Sequence, residues 1–392
     1  MLFTKELLKQ IGETYGTPVY VYSQSEIERR IAIVKDTFSG INLLPTFACK
    51  ANNNPRILEL LGKSGFGTDI VSIGEYYASK KACIPDEKIV WNGNGKSMVD
   101  MEYLGKRVGY INIDSVEEYE RWTKLDSSAE FFLRINPDVD PKTHHHISTG
   151  LKKNKFGIHL ELLEKILKEK KLRISGFHIH IGSQITHVEP FEEAISKAVE
   201  LSNQYGFSKI NIGGGWGINY KDSELNLVEY KSKIVPYLKS FEFVITELGR
   251  YLIAPASVLI LRVEYVKRTP YKTFVVVDGG INVLMRPAMY NAYHRVNVLE
   301  PHDENSKEQV VDLVGPLCES GDILAFEREL KIPKEGSFVV IEDVGAYGYS
   351  MANNYNSIPR PAEVLVSEKN GEFEVKLIRR RESIEELFKG IV

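Results

Sequence analysis

The sequence predicts an α/β protein that consists of a TIM (β/α)8 barrel and a C-terminal, mainly antiparallel β domain. The barrel is indicated by short β-rich runs that alternate with helical stretches between residues 43 and 247, as successive β-α units do. The β domain is indicated by a change of rhythm after about residue 255, beyond which strand-like runs follow one another with few helices between them.

Eight β-rich runs define the predicted barrel. The segments between them carry helix signals: P-R-I-L-E-L-L-G-K, for example, has Pro55 at the expected start of a helix and Gly62 near its expected end. Strands alternating with helices predict parallel β-α units. The predicted strands are 43–50, 67–72, 89–93, 110–114, 130–136, 174–181, 209–213 and 243–247.

The β domain is predicted to begin near Pro255. The barrel then covers residues 25–255, and the β domain covers residues 256–392 together with residues 1–24. The first ten residues, M-L-F-T-K-E-L-L-K-Q, indicate a short amphipathic helix without the apolar core of a signal peptide. Predicted strands of the β domain are 258–266, 273–278, 310–314, 337–342, 362–366 and 373–378.

Composition limits the class of partner. The 50 basic and 53 acidic residues give a net charge of −3, which argues against nucleic acid or an anionic membrane as the main partner. No apolar run approaches the roughly 20 residues of a membrane span. Three cysteines, Cys49, Cys83 and Cys318, are scattered and odd in number, which is not a disulfide framework and is typical of a reducing cytoplasm. We therefore expect a soluble cytoplasmic protein.

Polar residues mark the C-terminal ends of all eight predicted strands. In a TIM barrel that rim carries the chemistry, whereas the interior is filled by branched apolar side chains. The sequence therefore predicts a site at this end of the barrel. The strand-end residues are Lys50, Asp69, Asn92, Asp114, Asn136, His180, Gly213 and Glu247.

Two of these ends suggest cofactor chemistry. Lys50, in F-A-C-K, follows an apolar strand, and a partly desolvated rim favours the neutral amine that forms an imine. Glu247, in T-E-L-G-R-Y, could keep a pyridine nitrogen protonated, which makes the ring a strong electron sink. Arg250 offers a fork for a carboxylate or phosphate. A solvated lysine and a surface salt bridge are the alternatives.

The glycines and histidines leave several interpretations open. In K-I-N-I-G-G-G-W-G, consecutive glycines after a strand can direct backbone N–H groups at a phosphate, or form a tight turn. The G-x-G-x-x-G spacing of a dinucleotide site is missing. His178 and His180 could hold a metal, lie on a flat cofactor ring, or be core histidines. No further ligands with convincing spacing accompany them, so we expect no metal. The cluster 144–146 fits a solvated turn better than a zinc site.

The β domain carries three motifs that suggest a loop-built polar pocket. They are R-P-A-M-Y with Arg286 and Tyr290, G-P-L-C-E-S-G-D with Cys318 and Glu319, and D-V-G-A-Y-G-Y-S-M with Tyr347. Cys318 could equally be a small buried hydrophobe. The border of two domains is a favoured place for a small-molecule site.

Taken together, these motifs resemble the diaminopimelate decarboxylases, within the alanine-racemase-like and ornithine-decarboxylase-like group of pyridoxal-phosphate enzymes. The resemblance covers nearly the whole chain, in the family's order. Two departures are Leu248 in place of the usual proline of E-P-G-R, and D-G-G-I-N at 278–282 in place of D-A-G-M-N. The matching motifs are F-A-C-K-A-N, H-I-H-I-G-S-Q, N-I-G-G-G, E-L-G-R, R-P-A-M-Y, G-P-L-C-E-S-G-D, G-A-Y-G-Y-S-M and N-Y-N-S-I-P-R-P-A-E-V.

The resemblance implies pyridoxal 5'-phosphate as cofactor and decarboxylation of meso-2,6-diaminopimelate to L-lysine and CO2, the last step of lysine biosynthesis. It implies that Lys50 binds the cofactor as a Schiff base, that His180 stacks on the ring, and that Cys318 donates a proton from the neighbouring subunit of a homodimer. The segment 143–157 resembles a mobile loop over the site. The implied cofactor-binding residues are Lys50, Asp69, His180, Ser183, Gly213, Gly214, Gly215, Glu247, Gly249, Arg250 and Tyr347. The implied substrate-binding residues are Arg250, Arg286, Tyr290, Glu319 and Tyr347.

Four other functions would need different residues or a different domain organisation. An amino-acid racemase of the same group would favour an arginine near the ring nitrogen, where Glu247 stands here. Ornithine and arginine decarboxylases would need an acidic pocket for a distal cation, whereas Arg286 with Glu319 suits a zwitterionic end. A pyridoxal-phosphate carrier would dispense with the β domain. A metal-dependent barrel hydrolase would carry its H-x-H on the first strand, but here the pair lies on the sixth.

Overall fold

The computed structural model describes residues 1–140, 155–169, 171–369 and 371–392. The chain divides into two compact units. The barrel unit comprises Arg30–Asn219 and Ser223–Leu252, and the β unit comprises Met1–Arg29, Tyr220–Asp222 and Ile253–Val392. The domain boundaries 25–255 and 256–392 with 1–24 stay a prediction. Within the described residues, none of the helices has the length and hydrophobicity needed to cross a membrane.

The first elements of the chain are α1 (Lys5–Tyr15), β1 (Val19–Ser23) and α2 (Gln24–Thr37). Helix α1 begins later than predicted, because Thr4 caps it by accepting a hydrogen bond from the Leu7 N–H at 3.3 Å. Its apolar side, which includes Leu8 and Ile11, is buried in the core of the β unit.

Eight parallel strands close the barrel, which confirms the predicted fold class. Each pairs with the next, and the last pairs with the first, so that Thr46 lies opposite Glu247. All but the last of these strands are shorter than predicted, because pairing stops where the loops that carry the strand-end residues begin. The strands are β2 (Leu43–Ala48), β3 (Gly67–Ile70), β4 (Ile89–Trp91), β5 (Tyr110–Ile113), β6 (Glu130–Arg134), β7 (Ile174–His178), β8 (Lys209–Asn211) and β9 (Phe243–Leu248).

Helices follow the barrel strands. Helix α3 starts at Pro55 as predicted, with Asn54 as its N-cap. The helix ends at Lys63, one residue after Gly62, so glycine lies near its end as predicted; a Cβ atom at Gly62 would come within 2.5 Å of Ile84 Cδ1, so glycine also permits a close packing contact. The helices are α3 (Pro55–Lys63), α4 (Ile73–Lys81), α5 (Met98–Leu104), α6 (Val116–Trp122), α7 (Leu160–Glu169), α8 (Glu189–Tyr205), α9 (Leu227–Leu238) and α10 (Arg250–Ile253).

The inside of the barrel changes from apolar to polar along the strands. Near the N-terminal ends, Leu44, Val90, Phe132 and Ile245 form one buried cluster, with Tyr110 packed against it. Since side chains of a strand alternate between two faces, residues two positions further along point the same way. Those positions carry the polar side chains described below. The apolar layer therefore closes the barrel beneath a polar one.

The β unit is built on a sheet of nine strands that is mostly antiparallel, as predicted. The two parallel pairs are β1 with β16 (Ala362–Lys369) and β11 (Thr273–Val277) with β13 (Gln309–Val314). Three strands were not among the predicted ones: β1, β12 (Val296–Val298) and β14 (Ile323–Leu330). Two short helices, α11 (Arg286–Tyr290) and α12 (Ile384–Leu387), accompany the sheet. Its remaining strands are β10 (Ser257–Arg268), β11 (Thr273–Val277), β12 (Val296–Val298), β13 (Gln309–Val314), β14 (Ile323–Leu330), β15 (Phe338–Glu342), β16 (Ala362–Lys369) and β17 (Glu372–Arg379).

Candidate active site

The eight strand-end residues all lie at one end of the barrel, because its strands are parallel. Asp69 and Glu247 are the second-last residues of β3 and β9. Asn92 and Asp114 directly follow β4 and β5. The other four, Lys50, Asn136, His180 and Gly213, lie two residues past their strands. The sequence had suggested that His178 and His180 lie on one strand. This is wrong, because β7 ends at His178 and His180 lies in the loop that follows.

Glu247 is the centre of a buried hydrogen-bond network. Three side-chain amides donate to its Oε1 atom: Asn92 at 2.9 Å, Asn112 at 2.9 Å and Asn211 at 2.7 Å. The Oε2 atom lies 3.2 Å from His178 Nε2. Donors of this kind stabilise an ionised carboxylate, since each presents an N–H to it.

The environment of Glu247 favours its charged form. Burial by itself raises the pKa of this carboxyl group, but the nearby His178 ring, through the positive charge it carries when protonated, and the hydrogen bond from Asn92 outweigh burial and lower the pKa below its ordinary value. Glu247 is therefore an anion across the physiological pH range.

Asp69 is shifted in the opposite direction. Burial raises its pKa well above the ordinary value, and the negative charge of Glu247 raises it further. Asn92 links the two carboxyl groups, since its Nδ2 atom also donates to Asp69 Oδ1 at 2.6 Å. Two neighbouring carboxyl groups thus differ in proton affinity, which is typical of functional sites.

Lys50 follows β2 and presents an exposed side chain beside this network. Its positive charge opposes the effect of burial on the pKa of both Asp69 and Glu75. The preceding residue, Cys49, is fully buried, and its N–H donates to the Asp69 carbonyl at 2.9 Å. The chain is therefore anchored to β3 directly before Lys50, which lies at the rim of the barrel.

His180 is held as a neutral imidazole. Gly214 donates its backbone N–H to Nδ1 at 3.2 Å, so Nδ1 carries a lone pair and the ring proton resides on Nε2. Burial lowers the pKa of His180 well below its ordinary value, and the charges of Lys50 and Arg134 lower it further.

The three consecutive glycines pack against backbone on both sides. A Cβ atom would approach Ile179 O to 2.3 Å at Gly213, Glu247 O to 1.9 Å at Gly214, and Gly182 O to 2.4 Å at Gly215. Gly213 and Gly215 also have positive φ angles, +62° and +110°. The N–H of Gly213 donates to Asn211 Oδ1 at 2.9 Å, so this amide and that of Gly214 are engaged within the protein.

Arg250 and Ser183 lie together beside the glycines. The buried Arg250 donates from Nη2 and Nε to Ser183 Oγ, at 3.0 and 3.3 Å. At Gly249, a Cβ atom would come within 3.0 Å of Ala51 Cβ, so glycine lets the chain pass close to the loop after Lys50.

Sequence reasoning missed several polar residues of this end of the barrel. Asn112 and Asn211 contact Glu247, and Arg134 pairs with Asp114 at 3.0 Å while donating to the His180 carbonyl at 3.4 Å. A signal was present: Y-I-N-I-D, K-I-N-I-G and F-H-I-H each place a polar residue two positions before the strand-end residue, on the same inward face.

Apart from Arg250, which lies in the barrel unit, the predicted substrate residues belong to the β unit. Arg286 begins α11, is buried, and donates from Nη1 to His294 Nε2 at 2.7 Å, and its guanidinium lies 4.8 Å from the centre of the Tyr220 ring. Tyr290 ends α11 and is half-buried. Tyr347 is half-buried and has a φ of +59°. Cys318 and Glu319 are exposed in the turn before β14.

Some of the sequence predictions fall on residues that are not described. Most of the predicted loop 143–157 lies outside the described residues, as do the three histidines 144–146. Residues 155–157 of that segment are described, and the N–H of Gly157 donates to Asp114 Oδ2 at 3.3 Å. Within the described ranges, no group of three or more His, Cys, Asp or Glu side chains is placed to hold a metal ion.

Comparisons with known proteins agree with this geometry. Residues 24–254 match the family model "Pyridoxal-dependent decarboxylase, pyridoxal binding domain". The chain is 40% identical to the diaminopimelate decarboxylase of Aquifex aeolicus, covering 96% of this chain and 92% of that one. It is 39% identical to that of Methanocaldococcus jannaschii, covering 96% and 92%.

A solved structure extends the likeness to the fold. The crystal structure of diaminopimelate decarboxylase from Helicobacter pylori, complexed with L-lysine, superposes with a TM-score of 0.89 at 35% identity and covers 97% of this chain and 98% of that one. The likeness therefore spans both units. The chain belongs to the diaminopimelate decarboxylases, a family of pyridoxal-dependent decarboxylases.

Proposed function

We propose that the chain catalyses the decarboxylation of meso-2,6-diaminopimelate to L-lysine and CO2, the last step of lysine biosynthesis. It is a carboxy-lyase that uses pyridoxal 5'-phosphate as its cofactor. The observation that carries this function is the Glu247 carboxylate, which is buried and held by three amide donors at the end of the last barrel strand, in surroundings that lower its pKa. A carboxylate in that place makes a pyridine ring a strong electron sink, which decarboxylation requires.

The barrel residues fit pyridoxal phosphate. Among the described residues, three N–H groups donate to Glu247 Oε1, whereas Oε2 has a single 3.2 Å contact, to His178 Nε2, so Oε2 is able to accept the N–H of a pyridinium. Neither ring nitrogen of His178 has a hydrogen-bond partner among the described residues. The glycine loop has no side chains that would keep a phosphate away from its backbone. Of its three N–H groups, that of Gly215 has no hydrogen-bond acceptor among the described residues.

Pyridoxal phosphate, when bound, supplies the electron sink for the electron pair that CO2 leaves behind. Lys50 attaches the cofactor through its amine, and Glu247 holds a proton on the ring nitrogen. His180, being neutral, lies against the ring without adding a charge that would compete with that proton. Asp69 supports the Lys50 region.

The phosphate group and the substrate ends are bound by the remaining site residues. Ser183, the glycine loop, Gly249 and Arg250 bind the cofactor phosphate region, with a contribution from Tyr347. Arg250 and Arg286 bind substrate carboxylates, because a guanidinium pairs with a carboxylate through two parallel hydrogen bonds. Gripping both ends of the substrate orients the bond that breaks. Glu319 binds the distal amine, and the hydroxyl groups of Tyr290 and Tyr347 complete the recognition of the substrate.

Cys318 donates the proton that replaces CO2 on the α-carbon. Its thiol is exposed in the turn before β14, where it is accessible to a neighbouring molecule. We propose that it serves the site of a partner subunit, so that the protein acts as a homodimer. The cytoplasm is the proposed compartment, in keeping with the three free cysteines.

A substrate panel tests this function. Protein loaded with pyridoxal phosphate is offered meso-diaminopimelate, ornithine, arginine and lysine separately, while CO2 and the amine product are followed. We expect CO2 and L-lysine from meso-diaminopimelate alone. Release of CO2 from ornithine but not from diaminopimelate would refute the proposed specificity.

A further inference from the structure

Three asparagine side chains form a continuous layer around the Glu247 carboxylate. Asn92, Asn112 and Asn211 are all buried, and each directs its Nδ2 atom at Glu247 Oε1. Three donors for one oxygen fill its lone pairs, whereas the other oxygen of the same carboxylate receives none of them. The arrangement is therefore asymmetric, and it distinguishes Oε1 from Oε2.

The orientation of each amide is fixed by its neighbours. The N–H of Gly213 can only donate, so the atom of Asn211 that faces it at 2.9 Å is the oxygen, and the nitrogen faces Glu247. Asn211 Nδ2 also lies 3.5 Å from Asn112 Oδ1, and Asn112 Nδ2 donates to Asn92 Oδ1 at 2.7 Å. Asn92 then donates to Asp69 at 2.6 Å. The three asparagines form a head-to-tail amide chain that runs from a backbone donor to a carboxyl acceptor.

We propose that Asn92, Asn112 and Asn211 are positioning residues that fix the rotation of the Glu247 carboxylate and leave Oε2 as the oxygen that faces the cofactor's ring nitrogen. This inference rests on the proposed function, because it assigns how Glu247 performs its part. The amide chain acts through Glu247 and does not itself contact the cofactor.

Amides suit this task better than charged side chains. An asparagine donates to the carboxylate without carrying a charge or a titratable proton, so it stabilises the anion and adds no competing acid or base. The titratable groups that surround Glu247 are Asp69, His178 and His180, and Lys50 lies next to Asp69. Because the asparagines act through Glu247, we expect a change in the amide chain to change the pKa of the cofactor's ring nitrogen.

The test replaces Asn112 with leucine, which has nearly the same shape and no donor. Holoenzyme is prepared with pyridoxal phosphate labelled with 15N at the ring, and the 15N chemical shift is followed across pH. We expect the apparent pKa of the ring nitrogen to fall by about one unit, which is a tenfold change in its proton equilibrium. The value of kcat should fall with it, while KM for diaminopimelate changes little.

Thr46→Val is the matched control. Thr46 is fully buried, lies opposite Glu247 in the strand register, and donates to the Thr246 carbonyl at 2.9 Å rather than to the carboxylate. This variant loses one buried hydrogen bond in the same region, so it should leave the 15N titration as in the wild-type protein. If Asn112→Leu does not fold, Asn112→Ala removes the same donor in a smaller side chain and carries the same expectation.

The outcomes separate the two proposals. Wild-type protein that binds no pyridoxal phosphate, or releases no CO2 from diaminopimelate, would overturn the proposed function. Wild-type protein with a protonated ring nitrogen, together with an Asn112 variant whose 15N titration matches that of Thr46→Val, would overturn the positioning role alone.

Discussion

Replacing Lys96 with methionine removes one partner of a buried ion pair that supports the strand carrying Asn112. The Lys96 ammonium lies 2.9 Å from Glu118 Oε1, and its side chain is 2% exposed and that of Glu118 8%. It also donates to the carbonyl oxygens of Gly93 at 2.6 Å and Asn112 at 2.8 Å. Methionine keeps the stem and removes the charge and all three donors.

The size of the effect follows from burial. Among the described residues, the Glu118 carboxylate would keep two donors, the N–H of Asp114 at 3.0 Å and the indole N–H of Trp122 at 3.1 Å. A buried charge that loses its partner costs about 3–5 kcal/mol. In the double variant Lys96→Met/Glu118→Gln, the neutral amide can still accept one of those N–H groups, so about 1–3 kcal/mol of the loss should be recovered.

Urea unfolding followed by tryptophan fluorescence measures the loss, since Trp91 and Trp122 pack with ring centres 6.1 Å apart beside this pair. The control is Lys63→Met, which breaks the 2.7 Å pair with Glu59 at a surface where Lys63 is 70% exposed. Water screens such a pair, so the urea midpoint of the Lys63→Met variant should hardly differ from that of the wild-type protein. An equal shift for Lys96→Met and Lys63→Met would refute the reasoning.

Three further predictions follow from the site and the barrel. Lys50→Ala and Cys318→Ala should each be inactive alone, but mixing the two variants should restore some CO2 release; no recovery would contradict the shared site. Gly214→Ala, whose Cβ would lie 1.9 Å from a backbone oxygen, should weaken pyridoxal-phosphate binding in a fluorescence titration by at least about tenfold. Gly95→Ala has open space and should bind normally. Burial raises the pKa of Tyr110 to about 12, so stability present below the ordinary value near 10 is lost as the pH rises towards 12. Tyr110→Phe should lose less stability in urea unfolding over that range, and an unchanged loss would count against this assignment.

The barrel was predictable because its pattern repeats eight times. Each strand is apolar and each is followed by a helix, so errors at single boundaries do not alter the count. The β unit offers no such repetition. Strand β12 has three residues, and β1 lies between β10 and β16 with every residue buried, so neither shows the alternation that marks a strand with one solvent-exposed face.

The site was predictable where chemistry is concentrated at strand ends, as at Lys50 and Glu247. Asn112 and Asn211 lie inside strands, where a polar residue in an apolar run gives no sign of its partner. Their role depends on which side chains the barrel brings together, and Asn112 is 135 residues away from Glu247 along the chain. Closure of the barrel, rather than local sequence, makes these contacts.

Borohydride reduction of the holoenzyme tests the central claim most directly. Reduction makes the bond between the cofactor and its lysine permanent, and mass spectrometry of the digested protein then locates the pyridoxyl group. We predict that it is found on the peptide that contains Lys50 and that Lys50→Ala yields none. Labelling of another lysine of the barrel rim, such as Lys96, would contradict the account.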